Sequence, residues 1–252
     1  MCATCGCGET SPEPGRLPTT GLAPLTDTGP LRLIRIEQNV LGHNDALARQ
    51  NRDWLARNGV LALNLVSSPG SGKTSLLERT LTELGDQLAF TVIEGDQQTA
   101  RDAERIRATG TRAVQVNTGK GCHLDAHQIS QALITLAPPG GSVLFIENVG
   151  NLVCPALFDL GEAGKVVILS ITEGEDKPVK YPDMFRRAAL VILNKIDLLP
   201  HLEFDVDACL GHLRQVNPDV PVLELSVTRG TGLSAWYAWL QDQRDQAVRN
   251  RP

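Results

Sequence analysis

From Val60 onward the chain alternates short apolar runs with stretches whose apolar residues recur every three to four positions. Val60–Val66 (VLALNLV) is almost continuously apolar, the pattern of a strand covered on both faces. Similar runs occupy Leu88–Ile93, Ala113–Val116, Val143–Ile146, Val166–Ile171, Leu190–Leu193 and Val220–Leu225. Helical spacing fits Ser75–Leu84, Asp102–Ala108, Asp125–Leu136, Val206–Val216 and Leu233–Val248. This alternation predicts one α/β domain with a mostly parallel sheet flanked by helices on both faces. Upstream, a helical pattern begins near Leu33, with Ile36, Val40, Leu47 and Leu55 as its apolar positions, and stops at Asn58-Gly59. Residues 9–30 carry Pro12, Pro14, Pro18, Pro24 and Pro30 without apolar periodicity and read as a flexible linker. The expected organisation is therefore a Cys-rich motif (1–8), the linker (9–30) and a globular domain (31–252).

Composition supports one globular domain plus an extension, with 252 residues, 42% apolar and 21% charged. A net charge of −5 argues against a nucleic-acid partner, since phosphate binding needs clustered Lys and Arg. No run is long enough to span a membrane, and no basic and apolar leader opens the chain. The expected compartment is the cytoplasm, where thiols stay reduced. That changes the reading of the six cysteines from disulfides to metal or redox chemistry.

The first strand runs into Ser67-Ser68-Pro69-Gly70-Ser71-Gly72-Lys73-Thr74, followed by a helix. The strict phosphate-loop pattern has Gly where Ser67 stands. Gly70 and Gly72 still let successive amides curl toward a polyphosphate, and the helix start adds its positive dipole end. Gly70, Ser71, Gly72, Lys73, Thr74 and Ser75 are the expected phosphate set, with Lys73 on the terminal phosphates and the Thr74 hydroxyl on Mg²⁺. A plain strand–helix turn is the alternative. Glu147, after Val143–Ile146, stands where such enzymes place the acidic residue that binds or positions Mg²⁺, and Gly150 would bring its amide to the γ-phosphate. Asp96 is a further candidate for Mg²⁺ or the attacking water, so Lys73, Thr74, Asp96 and Glu147 form the expected catalytic set. For either acidic residue, a solvated carboxylate at a strand end is the alternative.

Asn194-Lys195-Ile196-Asp197 follows the run Leu190–Leu193. A carboxylate at Asp197 accepts from guanine N1–H and the exocyclic amine, a donor pair adenine lacks. Lys195 would lay its stem over the purine, Asn194 would pin neighbouring loops, and main-chain amides at Ser226 and Val227 would back the guanine O6. GTP, with GDP as product, is the expected nucleotide.

Cys2, Cys5 and Cys7 lie within six positions, spaced by glycines that permit a tight wrap around one ion, Ni²⁺ or Zn²⁺. An incidental cysteine tail or a redox pair is the alternative. Cys122-His123 and Cys154 sit in two loops leaving the carboxyl ends of strands, and together they would make a three-ligand shell with one open position; a buried cysteine pair with a helix-capping histidine is the alternative. Cys209 reads as a small core residue.

These motifs resemble the hydrogenase nickel-incorporation GTPase family, HypB. The likeness is carried by CxxCGC at Cys2–Cys7, SSPGSGKT, EGDQQT at Glu94–Thr99, GKGCHLDA at Gly119–Ala126, ENVGNLVCP at Glu147–Pro155, TEGEDKPVKYP at Thr172–Pro182 and NKID. The resemblance implies a SIMIBI-class GTPase that dimerises on binding GTP. It implies nickel at Cys2, Cys5 and Cys7, and nickel or zinc at Cys122, His123 and Cys154 near the dimer interface. It further implies a zinc-bearing partner chaperone, HypA, and delivery of nickel to the large subunit of [NiFe]-hydrogenase. Residues 9–30 contain no His, unlike members with a His-rich nickel store. A urease nickel GTPase is the rival within this class, but its metal motif is Cys-Pro-His rather than Gly-Cys-His. A decayed GTPase turned metal store and a small-molecule kinase are the rivals outside it. Binding of GTP is expected to draw in residues 147–150 and so move Cys154 relative to Cys122 and His123. Intrinsic turnover is expected to be slow, because no catalytic base stands out, with Lys177 a candidate to act across the dimer.

Overall fold

The computed structural model describes the backbone of residues 30–96, 101–119 and 121–252 and the side chains of 39–95, 102–119 and 121–252. The expected N-terminal motif and linker, with Cys2, Cys5 and Cys7, lie outside the described residues, as does the side chain of Asp96. The compact unit is Gln38–Pro252, and Met1–Glu37 is a separate unit of which only the start of the first helix is described.

The elements alternate in chain order. They are α1 (Pro30–Asn58), β1 (Leu61–Ser67), α2 (Lys73–Leu84), β2 (Phe90–Asp96), α3 (Arg101–Ala108), β3 (Arg112–Asn117), α4 (Ala126–Leu136) and β4 (Val143–Glu147). Next come α5 (Cys154–Leu157), β5 (Gly164–Ser170), α6 (Lys177–Lys180), α7 (Pro182–Arg186), β6 (Ala188–Asn194), a 3₁₀ turn (Ile196–His201), α8 (Val206–Val216), β7 (Val222–Leu225) and α9 (Leu233–Arg249). The seven strands described form one sheet ordered β3-β2-β4-β1-β5-β6-β7, each pair parallel. Every residue of β1 and β4 is buried, whereas β3 and β7 at the edges keep partly exposed positions. A central parallel strand meets helices on both faces, which explains the nearly continuous apolar runs of β1, interrupted only by Asn64, and β4.

One face packs Leu63, Leu65 and Phe145 against α2 and the buried Trp236 of α9, whose indole N–H donates to Thr80 Oγ1 at 2.9 Å. The other face packs Ile93, Leu144 and Ile146 against Ile129 and Leu133 of α4 and Leu55 of α1. A second cluster on β5 and β6 closes over Phe185 and Leu213 and includes Cys209, as its apolar surroundings suggested. Leu55 faces inward as expected, but Val40 is exposed, and the buried stripe of α1 is completed by Asn44, Ala48 and Asn51. The asparagines are satisfied there by hydrogen bonds: Asn44 donates to Asp159 O, and Asn51 to Ala126 O and Leu160 O. A period count that scores only apolar residues misses such a stripe. Because β1 has β4 on one side and β5 on the other, loops leaving the carboxyl ends of these strands diverge and leave a crevice.

Candidate functional site

The loop after β1 crosses that crevice. Gly70 and Gly72 have φ of 77° and 99°, where a side chain is disfavoured. Gly72 is further constrained, since a Cβ there would lie 2.5 Å from Asn194 Nδ2. The Lys73 ammonium is buried and donates to Ser67 Oγ at 3.0 Å. Ser67, the departure from the strict pattern, therefore serves as the cation's partner. Burial pulls the Lys73 pKa below its ordinary value, with Glu147 opposing the shift. Lys73, Thr74, Ser75, Glu147 and Gly150 line a cavity of about 470 Å³. A larger groove, about 1040 Å³, runs along α2 and α3, but its charged side chains pair with each other (Arg79 with Glu83, Arg105 with Glu78).

Thr74 Oγ1 donates to Glu147 Oε1 at 2.6 Å. Glu147 is buried, burial raises its pKa, and its Oε2 has no hydrogen-bond partner among the described residues. An orphaned carboxylate oxygen beside a hydroxyl and below an anion cradle suits a hard divalent cation such as Mg²⁺. Asp96 ends β2 at the same carboxyl edge, in register with Asn117 and two residues beyond the Glu94–Glu147 pair. Gly150 packs on the phosphate loop, where an added Cβ would meet Pro69 at 3.1 Å.

At the end of β6, Asn194 Nδ2 donates to Ser71 O at 2.8 Å, and its Oδ1 accepts from the amides of Lys195 (2.7 Å) and Val227 (3.3 Å). One side chain thus ties three loops together. Lys195 sits at φ 66° and its Nζ donates to Gly70 O at 2.7 Å. Asp197 lies in the 3₁₀ turn and accepts a short hydrogen bond from the Ser226 hydroxyl. The amides of Ser226 and Val227, expected to face guanine O6, have protein partners here, Thr231 O and Asn194 Oδ1. What Ser226 presents to the base loop is its hydroxyl, oriented on Asp197.

Cys122 and Cys154 come from loops after β3 and β4, and their Sγ atoms are 2.7 Å apart. His123 Nδ1 is 3.5 Å from Cys122 Sγ, and the three ligand atoms lie within 4.8 Å of one another. The His123 ring stacks on Phe158 with centroids 3.9 Å apart, and burial lowers its pKa, which favours the neutral imidazole that a metal needs. Asp125 caps α4 through a reciprocal pair with Gln128 and so fixes the chain leaving His123. This donor set suits Zn²⁺ or Ni²⁺.

Sequence reasoning gave no role to Glu173, Asp102 or Arg105, and considered Lys177 only as acting across a dimer. Glu173 accepts from Ser71 Oγ at 2.7 Å and pairs with Lys177, whose Nζ reaches Ser68 Oγ at 3.2 Å, so the loop after β5 braces the phosphate loop within one chain. Asp102 and Arg105 of α3 line the phosphate cavity. Charged residues on an amphipathic helix carry no local signal that distinguishes them from a solvated face.

A family model described as CobW/HypB/UreG, nucleotide-binding domain, matches residues 61–224. The chain is 61% identical over 220 residues to hydrogenase maturation factor HypB of Azotobacter vinelandii, covering 87% of this chain and 73% of that protein. It is 58% identical over 213 residues to HypB of Escherichia coli K12, covering 84% and 73%. Two crystal structures superpose with a TM-score of 0.76 at 38% identity. HypB of Archaeoglobus fulgidus covers 81% of this chain and 99% of its own, and HypB of Helicobacter pylori in complex with nickel covers 82% and 97%. FlhF complexed with GTP/Mg²⁺ shares the fold alone, at 16% identity and a TM-score of 0.50.

Proposed function

The chain belongs to the CobW/HypB/UreG family, with hydrogenase maturation factors HypB as its relatives, and from that premise we propose a GTPase whose nucleotide state controls a nickel-binding thiolate cluster. It is a P-loop GTPase of hydrogenase maturation with a nickel-related role. Lys73 and the amides of 70–75 bind the triphosphate, Asp197 selects guanine with Ser226 orienting it, and Asn194 holds the two halves of the nucleotide site together. Thr74, Glu147 and Asp96 would hold Mg²⁺, which would supply charge neutralisation to the terminal phosphates. Glu147, desolvated and with one oxygen unpartnered, supports that assignment.

Nickel is the cargo. Cys122, His123 and Cys154 bind it, or zinc in its place, and Cys2, Cys5 and Cys7 form a second nickel site. We assign the protein to the cytoplasm, as a dimer in the GTP state, working with a HypA-type zinc chaperone on the [NiFe]-hydrogenase large-subunit precursor. No helix among the described residues is long and apolar enough to cross a membrane.

One observation carries the coupling. A single loop after β4 starts with Glu147 on Thr74 and ends with Cys154 on Cys122, so the phosphate and thiol sites share one backbone segment. The test is Ni²⁺ affinity with Mg²⁺·GDP against the β,γ-imido analogue of GTP. A difference on the order of tenfold is expected from typical coupling energies. Equal affinities with no change of oligomeric state would remove the reading.

A further inference from the structure

The loop 147–154 touches the phosphate loop and the thiol loop in alternation. Glu147 holds Thr74, and Gly150 lies against Pro69. Between and after them, Asn148 and Asn151 point the other way. Asn148 is 2% exposed; its Oδ1 accepts from Leu124 N at 3.3 Å, immediately after His123. Asn151 Nδ2 donates to Cys122 O at 3.2 Å, and its Oδ1 accepts from Val153 N at 2.9 Å, shaping the turn that delivers Cys154. On the reading that the triphosphate and metal sites are coupled, we propose that Asn148 and Asn151 are the positioning residues that transmit the state of the phosphate cavity to the Cys122–His123–Cys154 cluster.

Asn148 is also anchored to the sheet. Its Nδ2 donates to Asn64 Oδ1 at 3.2 Å, and Asn64, fully buried in β1, donates to Glu162 Oε1 at 3.2 Å. Glu162 is paired with Lys165, and both are buried. Lys165 Nζ in turn donates to the carbonyl of Phe158, the residue whose ring lies on His123. The side chain of Asn148 is therefore held at Nδ2 by a polar chain through β1 and at Oδ1 by the amides of Val149, at 3.0 Å within its own loop, and Leu124, the one of the two that reaches the thiol loop. Hydrogen bonds weaken steeply with angle and distance, and the 3.3 Å contact is already long. A displacement of Glu147 toward a cation therefore loosens or tightens that contact directly. Leaving a buried amide unsatisfied is costly, so the segment has discrete arrangements rather than a continuum. Asn151 carries the same displacement to the backbone of Cys122, and the chain then reaches Cys154 within one turn. Packing of the apolar Val149, Leu152 and Val153 would not give the displacement this direction, whereas Asn148 and Asn151 have defined donor and acceptor ends.

The experiment uses the full chain carrying Cys2→Ala, Cys5→Ala and Cys7→Ala, so that Ni²⁺ reports on the cluster alone. Its Ni²⁺ dissociation constant is measured with Mg²⁺·GDP and with the imido analogue, in this parent and after adding Asn151→Ala or Asn148→Ala. With the parent ratio on the order of tenfold, each variant should bring it within about twofold. Because the ratio is taken within one variant, a general weakening of metal or nucleotide binding cancels. Asn151 is half-buried, so its variant keeps the test decisive if loss of the buried Asn148 amide impairs folding. By linkage, Ni²⁺ must shift the ratio of analogue to GDP affinity by the same factor in each protein. A parent ratio near tenfold that survives both substitutions overturns the role of the asparagines alone. A parent ratio of one overturns the coupled reading, and this role with it.

Discussion

Gly70 and Gly72 both adopt left-handed backbone in the phosphate loop, yet replacing them with Ala should have different consequences. At Gly70, φ is 77° and an added Cβ meets nothing within 4 Å, so Gly70→Ala incurs conformational strain alone, about 1–2 kcal/mol. At Gly72, φ is 99° and the Cβ would stand 2.5 Å from Asn194 Nδ2. Asn194 is 2% exposed and cannot swing into solvent. Moving it breaks the 2.8 Å bond to Ser71 O and disturbs the amides of Lys195 and Val227. Leaving such groups unsatisfied adds about 1–3 kcal/mol for each that finds no water. Gly72→Ala should therefore destabilise the protein by roughly 2–5 kcal/mol, the sum of strain and one lost buried bond. For a chain of this size that is a fall in Tm of about 4–20 °C, against about 2–8 °C for Gly70→Ala. The assay is thermal unfolding of both variants beside the parent, with GDP affinity measured on each. Because Asn194 ties the phosphate loop to the base loop, Gly72→Ala should also lose GDP affinity by more than Gly70→Ala. Equal shifts in the two variants would refute the claim that contact with Asn194, rather than backbone conformation, makes Gly72 necessary.

Burial raises the Glu147 pKa, so between the ordinary carboxylate value and the raised one the folded protein binds more protons than the unfolded chain, and this group's contribution to stability declines as pH rises. Glu147→Gln should therefore stabilise the nucleotide-free protein increasingly above pH 4.5, while Mg²⁺-dependent GTP hydrolysis falls by about 100-fold or more. Urea denaturation at several pH values checks this, and a stability difference independent of pH contradicts it. Asp125→Ala removes the capping box of α4 and should cost about 1 kcal/mol of stability. It should also weaken Ni²⁺ at the Cys122–His123–Cys154 cluster more than it weakens GDP, as read by parallel titrations.

The elements that periodicity placed correctly are those with enough length to show a period. All seven apolar runs are strands, displaced by one to three residues at their ends, and the five helical stretches after β1 are helices. The short helices α5, α6 and α7 and the 3₁₀ turn after β6 had no counterpart in the pattern. Each is four to six residues long, below what a 3.6-residue repeat can register, and each contains a proline that reads as a turn. Two of them matter to the site, because Cys154 opens α5 and Lys177 opens α6.

Local chemistry determined what each motif is made of. Glycines at 70 and 72 permit the cradle, a lysine and threonine follow them, an asparagine and aspartate close the base loop, and cysteines and a histidine supply soft ligands. None of that depends on distant residues, so it is readable from spacing. Which groups meet was decided by the sheet. The order β3-β2-β4-β1-β5-β6-β7 sets the ends of β3 and β4 at one edge, and so brings Cys122 to Cys154 across 32 positions of sequence. It likewise sets Asn194 on Ser71, Ser226 on Asp197 and Ser67 under Lys73. The departure at Ser67 reads as a defect along the chain and as a partner in space. A side chain's meaning there depends on the charge that folding buries beside it.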